Sequence, residues 1–228
     1  MGYDDGREVT SSSRSMDLPL LLTKLARKRP LFHSEADFQH ALAWEIRERY
    51  PDARLRLEYR PALADTRIYV DIWVAFGDGT IATFELKYKT RRLDLQLDGE
   101  TYGLLDQGAQ DIGRYDLLKD VLRLERLAST FPAVSGVAIL LTNDSTYWMA
   151  PRTNDTVDAA FRLHEGRTFA GRLAWGPGAS AGTMRAREVP INLATAYDAG
   201  WRDYSSVDTG RNDLFRYLLV NVSNRHGG

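Results

Sequence analysis

Apolar positions along the chain alternate between helical and strand periods, and the switches between them mark its elements. Leucines at 18, 20, 21, 22 and 25, followed by Lys24, Arg27, Lys28 and Arg29, predict a short helix that ends in positive charge before Pro30. Ser34 is placed to cap a second helix with Glu35 and Asp37 in its first turn; Phe38, Ala41, Leu42, Glu45, Ile46 and Tyr50 keep helical spacing up to Pro51. Residues 54–60 alternate strictly, as a strand does. Residues 68–76 and 80–89 are β-rich runs joined by Gly77, Asp78 and Gly79, which predicts a hairpin.

Helical spacing returns over 101–128 through Leu105, Ala109, Ile112, Tyr115, Leu118 and Leu122, and residues 134–141 form an apolar run fit for a buried strand. Residues 161–164 and 169–175 suggest two further strands, 176–182 a flexible loop, and Leu214, Phe215, Leu218, Leu219 and Val222 a last amphipathic helix. This order predicts an α/β (α+β) fold, a mixed central sheet flanked by helices, in a single domain over 16–228. The polar, Ser-rich residues 1–15 are expected to be a disordered arm.

Composition narrows the chemistry. At 43% hydrophobic and 27% charged, the 228 residues belong with globular chains rather than disordered ones. No apolar run approaches the roughly 20 residues of a membrane span, and the start lacks secretory grammar, so a cytoplasmic protein with no membrane partner is expected. The absence of cysteine excludes thiolate chemistry, and histidines only at 33, 40, 164 and 226 disfavour a zinc cluster. Thirty basic residues against thirty-one acidic ones remove the global basicity of many nucleic-acid binders while leaving a local patch open.

The hairpin carries the candidate chemistry. Ile68, Val70, Ile72, Val74 and Phe76 are expected on one side of the first arm, with Tyr69, Asp71, Trp73 and Ala75 on the other. In the second arm Ala82, Phe84, Leu86 and Tyr88 share a side, as do Ile81, Thr83, Glu85 and Lys87. A three-residue loop pairs Phe76 with Thr80 and sets Asp71 opposite Glu85, about 4.5–5.5 Å apart at Cβ, with Lys87 roughly 7–8 Å away on the diagonal. Facing carboxylates repel. A proton, Lys87, or a hard cation could relieve them; oxygen-only ligands favour Mg²⁺ or Mn²⁺. Glu35 and Glu45 both lie on the apolar side of the 34–50 helix and could supply a further carboxylate.

Val70-Asp71 followed by Glu85-Leu86-Lys87, with an acidic helix before and a helix after, resembles the PD-(D/E)XK, restriction-endonuclease-like nuclease superfamily over about residues 34–145. Val70 stands where that family has Pro. The resemblance implies a Mg²⁺-dependent phosphodiesterase acting on nucleic acid, DNA ahead of RNA, in defence, repair or recombination. Asp71, Glu85 and the Leu86 carbonyl would hold the metal, Lys87 would position or polarise the attacking water, and Glu35 would complete the site. Some branches carry Gln-x-x-x-Tyr in the next helix; here Gln110 to Tyr115 is one residue too long. Substrate contacts are expected from Lys89, Arg91, Arg92, Gln107, Gln110, Asp111, Arg114 and Tyr115, and double-strand cutting would suggest a homodimer.

Simpler readings stand beside these. Asp71, Glu85 and Lys87 could form a surface salt-bridge cluster, Glu35 a helix-dipole partner, and Glu45 a pair with Arg49. The chain as a whole could be a catalytically inactive nucleic-acid-binding or regulatory protein that keeps the nuclease fold. Residues 146–228 resemble nothing recognisable.

Overall fold

The computed structural model describes residues 16–62, 68–153, 155–207 and 210–223; the expected arm at 1–15 lies outside them. Helix α1 (Leu18–Lys28) starts where the Asp17 carboxylate accepts the Leu20 N–H. Helix α2 (Glu35–Arg49) starts where the Ser34 hydroxyl accepts the Asp37 N–H, as its capping sequence predicts. Strands β1 (Arg54–Tyr59), β2 (Val70–Ala75) and β3 (Ile81–Lys89) follow, and then β4 (Leu93–Leu97) and β5 (Glu100–Leu104) form a small hairpin of their own. Helix α3 (Gln110–Thr130) leads to β6 (Val134–Thr142). A 3-10 turn (Ala159–Phe161), β7 (Thr168–Leu173), the short α4 (Ala181–Met184), β8 (Ile191–Asp198), β9 (Trp201–Ser206) and β10 (Leu214–Val222) complete the order.

The fold is mixed α+β. Six strands make one sheet in the order β1-β2-β3-β6-β10-β9, in which only β3 and β6 run parallel. The parallel pair requires a crossover, and α3 lies in it. One apolar core fills the space between the sheet and α1 and α2, with Phe84, Leu86 and Tyr88 pointing into it from β3. The other lies between the sheet, α3 and the β7–β8 hairpin, with Leu117, Leu118, Val121 and Leu124 facing Ala138 and Leu140.

Three expectations need correction. The helical reading of 101–128 was too long at its start: β5 occupies 100–104, Leu105 is exposed, and α3 begins at Gln110. Residues 161–164 hold the end of the 3-10 turn rather than a strand. The predicted last helix is strand β10, interior to the sheet. Phe215 and Tyr217 face one core while Leu218, Val220 and Val222 face the other, so both strand faces are apolar and the resulting run imitates helical spacing.

Candidate functional site

The hairpin has the register its turn implies. The Phe76 N–H donates to Thr80 O at 2.9 Å, and Trp73 pairs with Thr83 and Ile72 with Phe84. There the ladder stops. Ile72 and Val74 lie in the α1/α2 core, but Val70 and Ile68 lie in the α3 core, so the first arm does not keep one side throughout as expected. It changes faces at Asp71. β1 bends at the matching place: Glu58, between the pairs Leu57–Ile72 and Tyr59–Val70, adopts left-handed φ of 48°. Such a conformation costs on the order of 1–3 kcal/mol and persists only where its surroundings enforce it. Here the Gln39 side chain enforces it, donating to Glu58 Oε1 and to Asp71 O, both at 2.8 Å.

Where β2 departs, β3 still has N–H groups to satisfy, and carboxylates take them. The Leu86 N–H donates to Asp71 Oδ2 at 2.6 Å, and the Tyr88 N–H donates to Glu35 Oε2 at 2.9 Å. Acidic side chains thus replace ladder carbonyls along the opened edge. On the α3 side of β3, Glu85 is buried and Lys87 mostly so. Lys87 Nζ lies 2.7 Å from Asp120 Oδ2 and donates to Leu86 O at 3.2 Å. Arg123 grips Glu85 with both prongs, Nε to Oε1 and Nη2 to Oε2 at 3.1 Å each, and also touches Asp120 Oδ1. The Nε prong is out of line for a hydrogen bond, which leaves Glu85 Oε1 buried beside a charge but without a donor.

Electrostatics follow from this crowding. Burial pushes the Asp71 carboxyl up to about 6, against the Leu86 N–H and the Lys87 charge, which favour ionisation. Burial, and then the Asp120 charge, push Glu85 above the usual carboxylate range despite Arg123. Burial works against the Lys87 ammonium, yet Asp120, Glu35 and Asp71 outweigh it and hold its pKa above the ordinary lysine value. The cluster has four carboxyl groups for two cations, and the raised values of Asp71 and Glu85 express that excess.

No protein-family model, curated protein or solved structure matches this chain. Its chemistry has to be read from these side chains.

Asp71, Glu85, Leu86, Lys87 and Glu35 all border the β2–β3 opening, but the expected facing pair of Asp71 and Glu85 is not part of the ladder, which ends at Ile72–Phe84. Glu45 does not join them. It pairs with Lys28 at 2.7 Å on the far side of α2 rather than with Arg49. The expected substrate contacts do not form one group: Arg91, Arg92 and Gln110 gather around Asp144, and the others lie elsewhere. Arg91 pairs with the buried Asp144 at 3.1 Å, Arg92 with Asp94 at 3.0 Å, and Gln110 donates to Asp144 Oδ2 at 2.9 Å. The Lys89 chain passes Gly113, and Gln107 is exposed on the loop before α3. Asp111 accepts the Ile112 N–H, the Tyr115 hydroxyl donates to Val189 O, and Arg114 is buried against Asp158. Arg114 and Tyr115 are therefore interior groups of α3.

Asp120 and Arg123 were missed, although Asp120 shares the apolar stripe of Leu117, Val121 and Leu124, where a charge is out of place. Among the described residues no three acidic or imidazole side chains already converge as a metal-binding group. Asp71, Glu85 and the Leu86 carbonyl nonetheless supply hard oxygens of the kind a divalent cation takes, and one of them, Glu85 Oε1, is buried without a donor.

Proposed function

We propose that this protein is a Mg²⁺- or Mn²⁺-dependent phosphodiesterase of restriction-endonuclease-like fold that hydrolyses nucleic acid, with DNA favoured over RNA. The observation that carries this reading is the forked edge, where Asp71 and Glu35 take the β3 N–H groups beside Glu85 and Lys87. Asp71, Glu85 and the Leu86 carbonyl would hold the ion. When bound, it would polarise the scissile phosphate and lower the pKa of an attacking water.

The chain's own groups set the rest. Lys87 stays charged, so it serves as a hydrogen-bond donor to the phosphate or the water and not as a base. Asp120 holds Lys87 in place on the α3 side. Glu35 fixes the N-terminus of α2 against β3 and keeps a carboxylate at the opening. No helix among the described residues is long and apolar enough to cross a membrane.

One observation favours a second reading. Glu85 and Lys87 already have ionic partners in Arg123 and Asp120, a closed arrangement that would suit a nucleic-acid-binding or regulatory protein without turnover.

A panel of labelled DNA and RNA substrates, incubated with and without Mg²⁺ or Mn²⁺, tests the proposal. Asp71→Asn keeps an acceptor for the Leu86 N–H and should stay folded, yet it should lose metal-dependent cleavage by at least about 100-fold, as should Lys87→Ala. Cleavage that persists in both variants removes the assignment. Metal binding seen as a raised Tm, without cleavage of any substrate, favours the second reading.

A further inference from the structure

A second buried ion cluster hangs on the first turns of α3, away from the β2–β3 fork. Arg114 Nη1 donates to Asp158 Oδ2 at 2.9 Å and its Nη2 donates to Thr146 O at 2.7 Å. Asp158 Oδ1 lies 3.0 Å from Arg162 Nη2. That one carboxylate is then used up. Arg167 has no ion pair among the described residues, and its single hydrogen bond runs from Nη2 to Ala160 O at 3.3 Å. The Nε–H groups of Arg114, Arg162 and Arg167 are buried without an acceptor. Neighbouring His164 offers no compensation: burial, and then the charges of Arg167, Arg162 and Arg114, hold its pKa below the ordinary value.

Arg114 and Arg162 thus share one carboxylate while Arg167 has none, and a cavity of about 310 Å³ opens where Arg162 and Arg167 meet Thr153 and Thr156. The Thr156 hydroxyl oxygen accepts from Arg162 Nη2 at 3.1 Å, and the Thr153 hydroxyl oxygen accepts the Asp155 N–H at 3.2 Å. Both hydroxyls thus have their protons left to donate. Among the described residues no carboxylate lines this cavity.

We infer that the Arg162–Arg167 cavity binds a phosphate-type oxyanion. A tetrahedral anion would offset the positive charge that Arg162 and Arg167 bring to the cavity, give the unpaired Arg167 a partner, and meet the fork geometry for which guanidinium is suited. The same chemistry comes from free phosphate or from a nucleic-acid backbone. The inference does not depend on the metal-dependent reading, since it uses none of the residues at the fork.

Inorganic phosphate, titrated into the full chain in EDTA at constant ionic strength with chloride as control, is the probe. Phosphate should raise the Tm and bind measurably by calorimetry. Arg167→Gln loses no ion pair, so it should fold normally while its phosphate affinity falls about tenfold or more. If that variant misfolds, Thr153→Val on the cavity rim replaces it and should also weaken binding. Absence of phosphate binding, or equal affinity in wild type and folded variant, overturns the site. A labelled oligonucleotide separates the sources. Binding that phosphate competes away and Arg167→Gln weakens assigns a backbone phosphate; oligonucleotide binding untouched by the variant, while phosphate binding falls, assigns the free ion.

Discussion

Helix α3 holds two ion clusters with opposite surpluses. Toward the sheet, Glu35, Asp71, Glu85 and Asp120 surround Lys87 and Arg123, and burial raises the pKa values of Asp71 and Glu85. Toward the loop after β6, Arg114 and Arg162 share Asp158 while Arg167 has no carboxylate partner among the described residues, and burial lowers the pKa values of Arg114 and Arg167. A balanced pair supplies the contrast: Asp116, on the same helix, meets Arg187 from the segment after α4 at 2.8 Å on both prongs. Buried charge is costly unless it is matched, so an imbalance points to what is missing. The fork calls for a cation and the loop for an anion.

The comparison can be broken by removing one carboxylate from each cluster. Asp158→Asn strands Arg114 in the interior and should cost about 3–5 kcal/mol in denaturant unfolding. Asp120→Asn relieves the repulsion felt by Glu85 and should cost clearly less. Equal losses would mean that the surpluses do not govern stability. Arg123 sharpens the same contrast. As the cation that grips Glu85, it should compete with added metal, so Arg123→Gln should take up Mn²⁺ about tenfold more tightly, read by calorimetry or by the Mn²⁺-dependent Tm. Unchanged affinity would show that the guanidinium and the metal do not share Glu85.

The smallest effect is a pH slope. The folded state raises Asp71 from an ordinary 3.8 to about 6, and so binds its proton more tightly than the unfolded chain between those values. Asp71 therefore makes the metal-free protein lose stability as pH rises from about 4 to 6, and Asp71→Asn lacks that contribution. Urea midpoints at the two pH values, wild type against variant, measure it; identical slopes would put Asp71 in a solvated setting.

The local parts of this molecule were readable from its residues. Ser34 and Pro51 bracket α2, and the Gly77-Asp78-Gly79 turn sets the β2–β3 pairing, because caps and short turns are decided by neighbours in sequence. That register stops short of Asp71: instead of pairing with Glu85 as expected, Asp71 turns its carboxylate onto the Leu86 N–H. What escaped depends on distant partners. Asp120 and Arg123 reach Glu85 and Lys87 only once α3 has docked on β3, and the face change at Asp71 is enforced by Gln39 from another helix. Strand β10 was taken for a helix because a strand covered on both faces has no polar side to mark its period. The β4–β5 hairpin escaped because its outward residues, Asp94, Gln96 and Thr101, look like loop.

The position of β10 also bears on how this molecule assembles. It sits between β6 and β9, and its partner on β6 comes from far earlier in the chain, Val222 meeting Gly136. Until that strand arrives, β6 presents a bare apolar edge and β9 has nothing to pair with. Closure of the sheet is therefore a long-range pairing, and a chain that has not yet made it exposes a strand edge of the kind that invites aggregation.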